Sequence, residues 1–459
     1  MKGESFVMTI ILDPEQEVKT PPDDTKEKSM EKPFVRYKGK KYHFESPPGW
    51  KVLTFATFKD HSEEKDVEQL TRQALKHPIG TAPLRECLSS SDTVAIIIED
   101  LTRASPKKRV LKTLLEVLNE TGVKKGNISI VISLGTHRAL SERELKDNYG
   151  EDVVTDYTVL NHDCLAPDLV PVAKLKTGAA VKINKRVHDA TYKIGIGSIF
   201  PHPMNGFGGG GKILFPGVSN FNAILEHHLR YCFREGSELG ILEGNPFYEE
   251  VCRLSKTAGL NFILNSVLDH NDRLYDLVGG DPVEAHQAGI QICKSIISRV
   301  FPKKSDLTVI SAFPYSEGPQ LMKPLAPASL ITKAGGCIIV FADCTLPLSD
   351  AYIAGCEEFR GKYSGNLREC VFGLFDKNQR LLEEGSPELN MSMTQALLAQ
   401  DRYKVIFVSE DIPREAIEHL GFLFAEDAEQ AFSMSATFNP RPEVHIVPSG
   451  GVILPILQS

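Results

Sequence analysis

The sequence lacks a long apolar run, a surplus of basic residues and any closely spaced pair of cysteines. No apolar stretch reaches the roughly 18 residues that a membrane-spanning helix needs, so we expect no membrane partner. The formal net charge is −8, which argues against binding to nucleic acid. The nine cysteines are scattered without a C-x-x-C pair, which argues against structural zinc and a disulfide framework. The N-terminus is a poor signal peptide, and we expect a cytoplasmic protein.

The chain is long enough for two domains. It has 459 residues, of which 42% are hydrophobic and 24% charged, as in an ordinary globular enzyme. Residues 13–33 are charged, contain proline and have few apolar side chains, so residues 1–34 are predicted to form a mobile extension. In residues 35–45, apolar and polar side chains alternate on both sides of Lys-Gly-Lys, and this pattern predicts an edge hairpin. We place the boundary between an N-terminal domain, 35–299, and a C-terminal domain, 300–439, near residue 300.

Short apolar strands alternate with polar loops and helices along most of the chain. The predicted strands are 93–99, 128–134, 192–199, 307–311 and 337–342. Continuous β-branched strands that alternate with helices indicate an α/β fold with parallel sheets, covered on both faces. Ligands bind beyond the carboxyl ends of such strands, so the polar residues of the loops that follow them are the first candidates for chemistry.

The loop 205–214 reads NGFGGGGKIL and nearly matches a P-loop. Gly206 to Lys212 fits G-x-x-x-x-G-K, but Ile213 stands where a P-loop has the Ser or Thr that holds Mg²⁺. Pro216 would interrupt a helix that began at the lysine. An NTPase therefore stays an alternative, beside a flexible turn with a solvated lysine. Four consecutive glycines favour a third reading, in which a ligand or backbone approaches closely.

Histidines surround this glycine loop in the sequence. His202 follows a predicted strand in PHP, His137 follows another in GTHR, and His227 and His228 lie downstream in EHHLR. Each histidine alone is more often structural than catalytic. Their arrangement around one loop makes a common site worth considering, because histidine titrates near neutral pH and also binds metals.

These motifs together resemble the nickel-pincer-dependent lactate racemase family. The chain carries DLTR at 100–103, GTHR at 135–138, PHPMNGFGGGGKILFPG at 201–217, a histidine sixteen residues beyond Lys212, and a Gln-x-x-Lys at 320–323. Their order and spacing match the family from about residue 35 to the C-terminus. The segment around the glycines is the most specific element, whereas DLTR or GTHR alone would be weak.

The resemblance implies two α/β domains with the active site in the cleft between them. It also implies that residues 440–459 return to the N-terminal domain. The implied cofactor is a nickel-pincer nucleotide (pyridinium-3,5-bisthiocarboxylic acid mononucleotide nickel) attached at Lys212. His228 would be the protein ligand to nickel, although a slip of one residue would make it His227. Enzymes that make the cofactor would be transient partners.

Further roles carry over from the family to single positions of this sequence. His137 and His202 match its two catalytic histidines. Three residues match groups that bind the substrate: Arg103, Gln320 and Lys323. Five match the surroundings of the cofactor: Asp100, Thr102, Gly208, Gly209 and Gly210. We expect the glycines to let the backbone approach the flat cofactor closely.

The activity that the resemblance implies is that of an isomerase, a 2-hydroxy-acid racemase or epimerase. It would invert C2 by proton-coupled hydride transfer to the cofactor, through a 2-keto acid, with the histidines moving the hydroxyl proton. Lactate-specific members commonly have Ser and Arg within the loop, where this chain has Gly208 and Gly211, and Pro319 stands where an aromatic hydroxyl is expected. The substrate is therefore lactate or a larger 2-hydroxy acid.

Overall fold

The computed structural model describes residues 32–58, 65–102, 105–363 and 365–458. Strands and helices are numbered in chain order over these residues. The strands are β1 Phe34–Tyr37, β2 Lys40–His43, β3 Lys51–Phe55, β4 Val94–Glu99, β5 Ile128–Ser133, β6 Thr158–Asn161, β7 Val170–Lys174, β8 Ala180–Ile183, β9 Tyr192–Ile199, β10 Pro201–His202, β11 Gly206–Phe207, β12 Phe262–Leu268, β13 Leu274–Gly280, β14 Ser298–Phe301, β15 Ser305–Ser311, β16 Thr332–Phe341, β17 Lys404–Val408, β18 Leu423–Ala425, β19 Glu443–Val447 and β20 Leu454–Leu457.

The helices lie mainly between the strands, as an α/β fold requires. They are α1 Val67–Lys76, α2 Leu84–Cys87, α3 Lys107–Glu120, α4 Glu142–Tyr149, α5 Glu151–Asp156, α6 Lys185–Asp189, α7 Phe221–Tyr231, α8 Pro246–Thr257, α9 Glu284–Ile297, α10 Leu325–Ile331, α11 Asp350–Lys362, α12 Leu367–Asp376, α13 Pro387–Gln400, α14 Arg414–His419 and α15 Ala428–Phe438. Within the described ranges, no helix is long and apolar enough to cross a membrane.

The first large sheet has the strand order β13-β12-β9-β4-β5-β6. Its strands are parallel except for the antiparallel pair β12–β13. In β4 the sequence VAIIIE is buried at every position but the last, which explains its unbroken run of β-branched residues. The strands predicted at 93–99, 128–134 and 192–199 are confirmed as β4, β5 and β9.

The second large sheet is parallel throughout, with the order β18-β17-β16-β15-β19-β3. The strands predicted at 307–311 and 337–342 are confirmed as β15 and β16. Within residues 440–459, β19 pairs with β15 on one side and with β3 on the other. The expected return of this segment to the N-terminal domain stays a prediction. Strand β20 pairs with β14 in a separate two-stranded sheet.

The N-terminal segment also packs on the second sheet. Strands β1 and β2 form the predicted hairpin, and both turn residues, Lys38 and Gly39, have positive φ, as a two-residue hairpin turn requires. Phe34 belongs to β1 and is buried, so the predicted extension of residues 1–34 overlaps the first strand. Residues 1–31 lie outside the described residues. The domain limits at 299 and 439 stay predictions.

Candidate active site

A cavity of about 230 Å³ is lined by the loops that follow β4, β5 and β9 of the first sheet. Facing these loops are α13 and the turn Gly318–Met322, which follow strands β16 and β15 of the second sheet. Ten of the predicted site residues line it: Asp100, Thr102, His137, His202, Gly208, Gly209, Lys212, His228, Gln320 and Lys323. Gly210 and His227 are not among its lining residues. Arg103 lies outside the described residues, and its predicted role stays a prediction.

His137 is held between two carboxylates from opposite sides of the cavity. Its Nδ1 lies 2.6 Å from Oδ2 of the buried Asp100, and its Nε2 lies 3.3 Å from Oε2 of Glu388 on α13. Burial lowers the pKa of His137, but the charge of Glu388 and the hydrogen bond to Asp100 raise it overall. Since a carboxylate only accepts, Nδ1–H donates to Asp100, and Nε2 is the ring nitrogen that can take up or release a proton in the cavity.

Asp100 has contacts on both of its carboxylate oxygens. Oδ1 accepts from the backbone N–H and the hydroxyl of Thr102, at 3.0 and 2.6 Å, while Oδ2 meets His137. Burial raises the pKa of this carboxyl, but its bonds to His137 and Thr102 lower it overall. These contacts favour a role in positioning His137; the predicted contact with a cofactor stays a prediction.

His202 is oriented by the backbone that follows it. Its Nδ1 accepts from the N–H groups of Met204, at 3.3 Å, and Asn205, at 3.1 Å. The neutral ring therefore carries its proton on Nε2. The cavity thus holds one imidazole with a basic Nε2, on His137, and a second, on His202, with Nε2–H.

The glycine loop is constrained mainly by protein neighbours. A Cβ on Gly208 would lie 2.4 Å from the Phe200 ring, and one on Gly210 would lie 2.6 Å from His286 Nδ1. Gly209 and Gly210 also have positive φ, of 81° and 57°. We expected the glycines to make room for a flat cofactor. The contacts show that the missing side chains let the loop pack against its own protein, and the close approach of a cofactor stays a prediction.

Lys212 lies at the floor of the cavity in a short 3₁₀ turn, Gly210–Ile213. The next α-helix begins only at Phe221. A P-loop places its lysine at the start of a helix whose N-terminus holds the phosphates, and that arrangement is missing here. The geometry therefore gives the NTPase alternative no support.

His228 and its neighbour His227 differ in what they face. The Nδ1 of His228 donates to the Ile224 carbonyl at 2.7 Å, so Nε2 keeps its lone pair. Burial lowers the pKa of His228 to about 4, which keeps the ring neutral, as a metal ligand must be. His227 instead packs against aromatic rings, with centroid distances of 4.3 Å to Phe247 and 5.0 Å to Phe215. The contacts favour His228 as the cavity donor.

Gln320 and Lys323 form a polar pair at the opposite wall. Lys323 Nζ donates to Gln320 Oε1 at 2.9 Å and lies 4.7 Å from the centroid of the Tyr315 ring. The charge of Lys323 also lowers the pKa of His137, against the larger effects that raise it. An ammonium at this position can hold a substrate carboxylate.

Sequence reasoning missed the contribution of α13. This helix lines the cavity with Glu388, Met391, Ser392 and Gln395. Most of the predicted residues follow strands, whereas α13 reaches the cavity with its N-terminal turns. Its sequence, PELNMSMTQALLAQ, offers little signal because ten of its fourteen residues are buried, including polar ones. The acidic residue directly after Pro387 is the one feature that could have indicated it.

The chain is similar in sequence to lactate racemases. A family model described as the lactate racemase N-terminal domain matches residues 37–240. A lactate racemase from Thermoanaerobacterium thermosaccharolyticum is 28% identical over 392 residues, covering 83% of this chain and 89% of the relative. A lactate racemase from Lactiplantibacillus plantarum is 26% identical over 409 residues, covering 86% and 91%.

Solved structures share the fold. The lactate racemase apoprotein from T. thermosaccharolyticum superimposes with a TM-score of 0.82 at 24% identity, covering 93% of this chain and 100% of that one. A protein from Thermotoga maritima gives a TM-score of 0.61 at 17% identity, covering 86% and 100%. The α/β architecture with parallel sheets is therefore shared along nearly the whole chain.

Proposed function

The chain belongs to the lactate racemase family, and on that premise we propose that it inverts the configuration at C2 of a 2-hydroxy acid. One observation carries the proposal. His137, positioned by Asp100 at 2.6 Å, shares one cavity with His202, Lys212 and His228. These are the residue types that the reaction needs: a base, a second imidazole, an anchoring amine and a neutral metal donor.

The donor set fits a cofactor that brings its own metal ligands. Among the described residues, no group of three His, Cys, Asp or Glu side chains could hold a metal ion. His228 offers a single neutral nitrogen to the cavity, so the other donors must come from elsewhere. A nickel-pincer nucleotide would be held by a covalent bond to Lys212 and by His228 at the metal. When bound, it would supply an acceptor for the hydrogen on C2.

The protein groups would hold the substrate and move its hydroxyl proton. Lys323 would pair with the substrate carboxylate, together with the predicted Arg103. His137 would take the hydroxyl proton at Nε2, and the Asp100 carboxylate would stabilise the imidazolium that results. His202 would donate a hydrogen bond from Nε2 to the same oxygen.

The test is a holoprotein made together with the enzymes that synthesise the cofactor. We expect added mass on the peptide that contains Lys212, one nickel per chain, and inversion of at least one 2-hydroxy acid. His137→Ala and His202→Ala should keep the added mass but lose inversion by roughly 10²-fold or more. His188→Ala, at an exposed site remote from the cavity, is the matched control and should remain active. An active Lys212→Ala protein would contradict the proposal.

A further inference from the structure

Glu388 places a carboxylate in the same cavity as the groups that bind an anion. It is the second residue of α13, and its side chain is 34% exposed. Its Oε2 lies 3.3 Å from His137 Nε2, the nitrogen that must reach the substrate hydroxyl. The ammonium groups of Lys212 and Lys323 belong to the same lining. Glu388 therefore lies beside the position of the substrate oxygen, on the side opposite Asp100.

A carboxylate at this position suits some substrates and disfavours others. Beside the methyl group of lactate it would lose water contacts and gain no hydrogen bond, which costs binding free energy. Beside a second substrate carboxylate it would meet a like charge, which is an effective way to exclude a competitor. Beside a hydroxyl group it would accept a charge-assisted hydrogen bond.

We propose that Glu388 determines specificity, selecting 2-hydroxy acids that carry a further hydroxyl group on C3. The proposal rests on the proposed function of this site. With the C2 hydroxyl at His137 Nε2, a hydroxyl on the neighbouring carbon would reach the Glu388 carboxylate, because His137 Nε2 and Glu388 Oε2 lie side by side. The same carboxylate would disfavour dicarboxylic 2-hydroxy acids.

The other polar side chains of α13 are already engaged within the protein. Ser392 donates to the Pro319 carbonyl at 2.7 Å and contacts the Tyr352 hydroxyl at 2.9 Å. Gln395 donates to the Lys323 carbonyl at 3.2 Å. These bonds fix the helix against the turn that carries Gln320 and Lys323. Glu388 is thereby held at the cavity on a rigid element, as a specificity-determining side chain should be.

The test compares acids that differ by one group at C3. Glycerate replaces a hydrogen of the lactate methyl group with a hydroxyl, and malate replaces it with a carboxylate. We expect the holoprotein to prefer glycerate over lactate in kcat/KM by about 10- to 100-fold and to use malate poorly, because a hydrogen bond to a charged group contributes this much discrimination. Glu388→Leu should remove the preference for glycerate. Glu388→Gln, which keeps an acceptor but no charge, should retain part of it and admit malate.

Controls separate the inference from the function on which it rests. Glu384→Gln removes the same charge from an exposed position outside the cavity lining and should leave all three ratios unchanged. Dissociation constants measured by calorimetry should follow the same order as kcat/KM, with glycerate bound most tightly and malate most weakly. If Glu388→Leu does not fold, Glu388→Gln provides the comparison. Equal use of lactate and glycerate, or ratios insensitive to Glu388, would overturn the inference alone. Inversion of none of the 2-hydroxy acids screened would overturn the proposed function, and the inference with it.

Discussion

At the scale of single residues, the chemistry of the cavity depends on which nitrogen of each imidazole faces the substrate. Asp100 fixes Nδ1–H on His137, whereas two backbone N–H groups fix the opposite tautomer on His202. The two catalytic candidates are therefore not equivalent, although the sequence presents them alike. The difference in tautomer comes from their hydrogen-bond partners. Along the sequence, the partner of His137 is 37 residues away, whereas the partners of His202 are only two and three residues away.

Replacing Asp100 with Asn should weaken His137 as a base. The variant loses the charge that stabilises the imidazolium, so we expect kcat to fall by roughly 10²-fold or more. The pKa of His137 should also fall, because the bond to Asp100 helps to raise it. The base must be unprotonated to act, so the acid limb of the kcat/KM profile should move to lower pH. Steady-state rates measured across pH check both effects.

The exposed Asp147 provides the control, since Asp147→Asn changes the same group on the surface of α4. An unchanged acid limb in the Asp100 variant would show that this carboxylate does not act through His137.

Acid should destabilise the protein through buried neutral histidines. Burial lowers the pKa of His228 and of His286 to about 4, against an ordinary value of 6.5. Between these values the unfolded chain binds more protons than the folded one, so the free energy of unfolding falls as pH decreases from about 6.5 to 4. His286→Gln should reduce the loss over this range, measured by urea unfolding. The exposed His188→Gln should keep the original slope, and an equal slope in the His286 variant would refute this account.

At the scale of elements, the glycine loop is a backbone segment wedged between β9, β12 and α9. The Gly210 N–H donates to Asn265 Oδ1 at 2.8 Å, and His286 Nε2 donates to the Gly208 carbonyl at 2.8 Å. The loop therefore has little freedom, and Lys212 at its end is held in place. A long side chain needs such a support if it is to anchor a ligand in one orientation.

Gly210→Ala should destabilise the fold by about 1–3 kcal/mol, because the new Cβ meets the His286 ring and the residue has positive φ. Gly126→Ala is the matched control, since a Cβ there meets nothing within 4 Å. Urea unfolding of both variants compares the two sites. Equal stability of the Gly210 variant and the wild type would contradict the packing role of the loop.

A comparison of the predicted with the observed elements shows what the sequence alone could predict. The central strands could be predicted to within one residue at β4 and β5, because unbroken β-branched runs leave few alternatives. Ten of the residues predicted from the motifs line one cavity. Helix α13 and Glu388 could not be found in this way, because their place depends on packing between distant parts of the chain. The packing of the glycine loop against Phe200 and His286 could likewise not be predicted, because it depends on the folded neighbours of the loop.

At the scale of the whole molecule, two strands far apart in the sequence, β3 and β19, pair in the second sheet. β19 joins β15 to β3, and three side chains of the N-terminal segment, Val35, Tyr37 and Phe44, are buried beneath it. This arrangement makes the second part of the molecule depend on residues far apart in the chain. It also supports the wall from which α13 reaches the cavity.

A chain that begins at residue 65 should therefore be much less stable than one that begins at residue 32. Removal of β3 exposes the β19 edge, and the loss of three buried side chains costs about 5 kcal/mol or more. Thermal unfolding of the two truncated chains measures the difference. Equal melting temperatures would contradict the placement of the N-terminal segment in the second sheet.

The central claim is that the cavity inverts C2 while its histidines move only the hydroxyl proton. The most direct measurement follows one enantiomer of a 2-hydroxy acid that carries deuterium on C2, treated with holoprotein in ordinary water. The account predicts that the product of opposite configuration largely retains the deuterium. Inversion with loss of deuterium to the solvent would mean that a side chain removes the C2 hydrogen as a proton, and it would contradict the account.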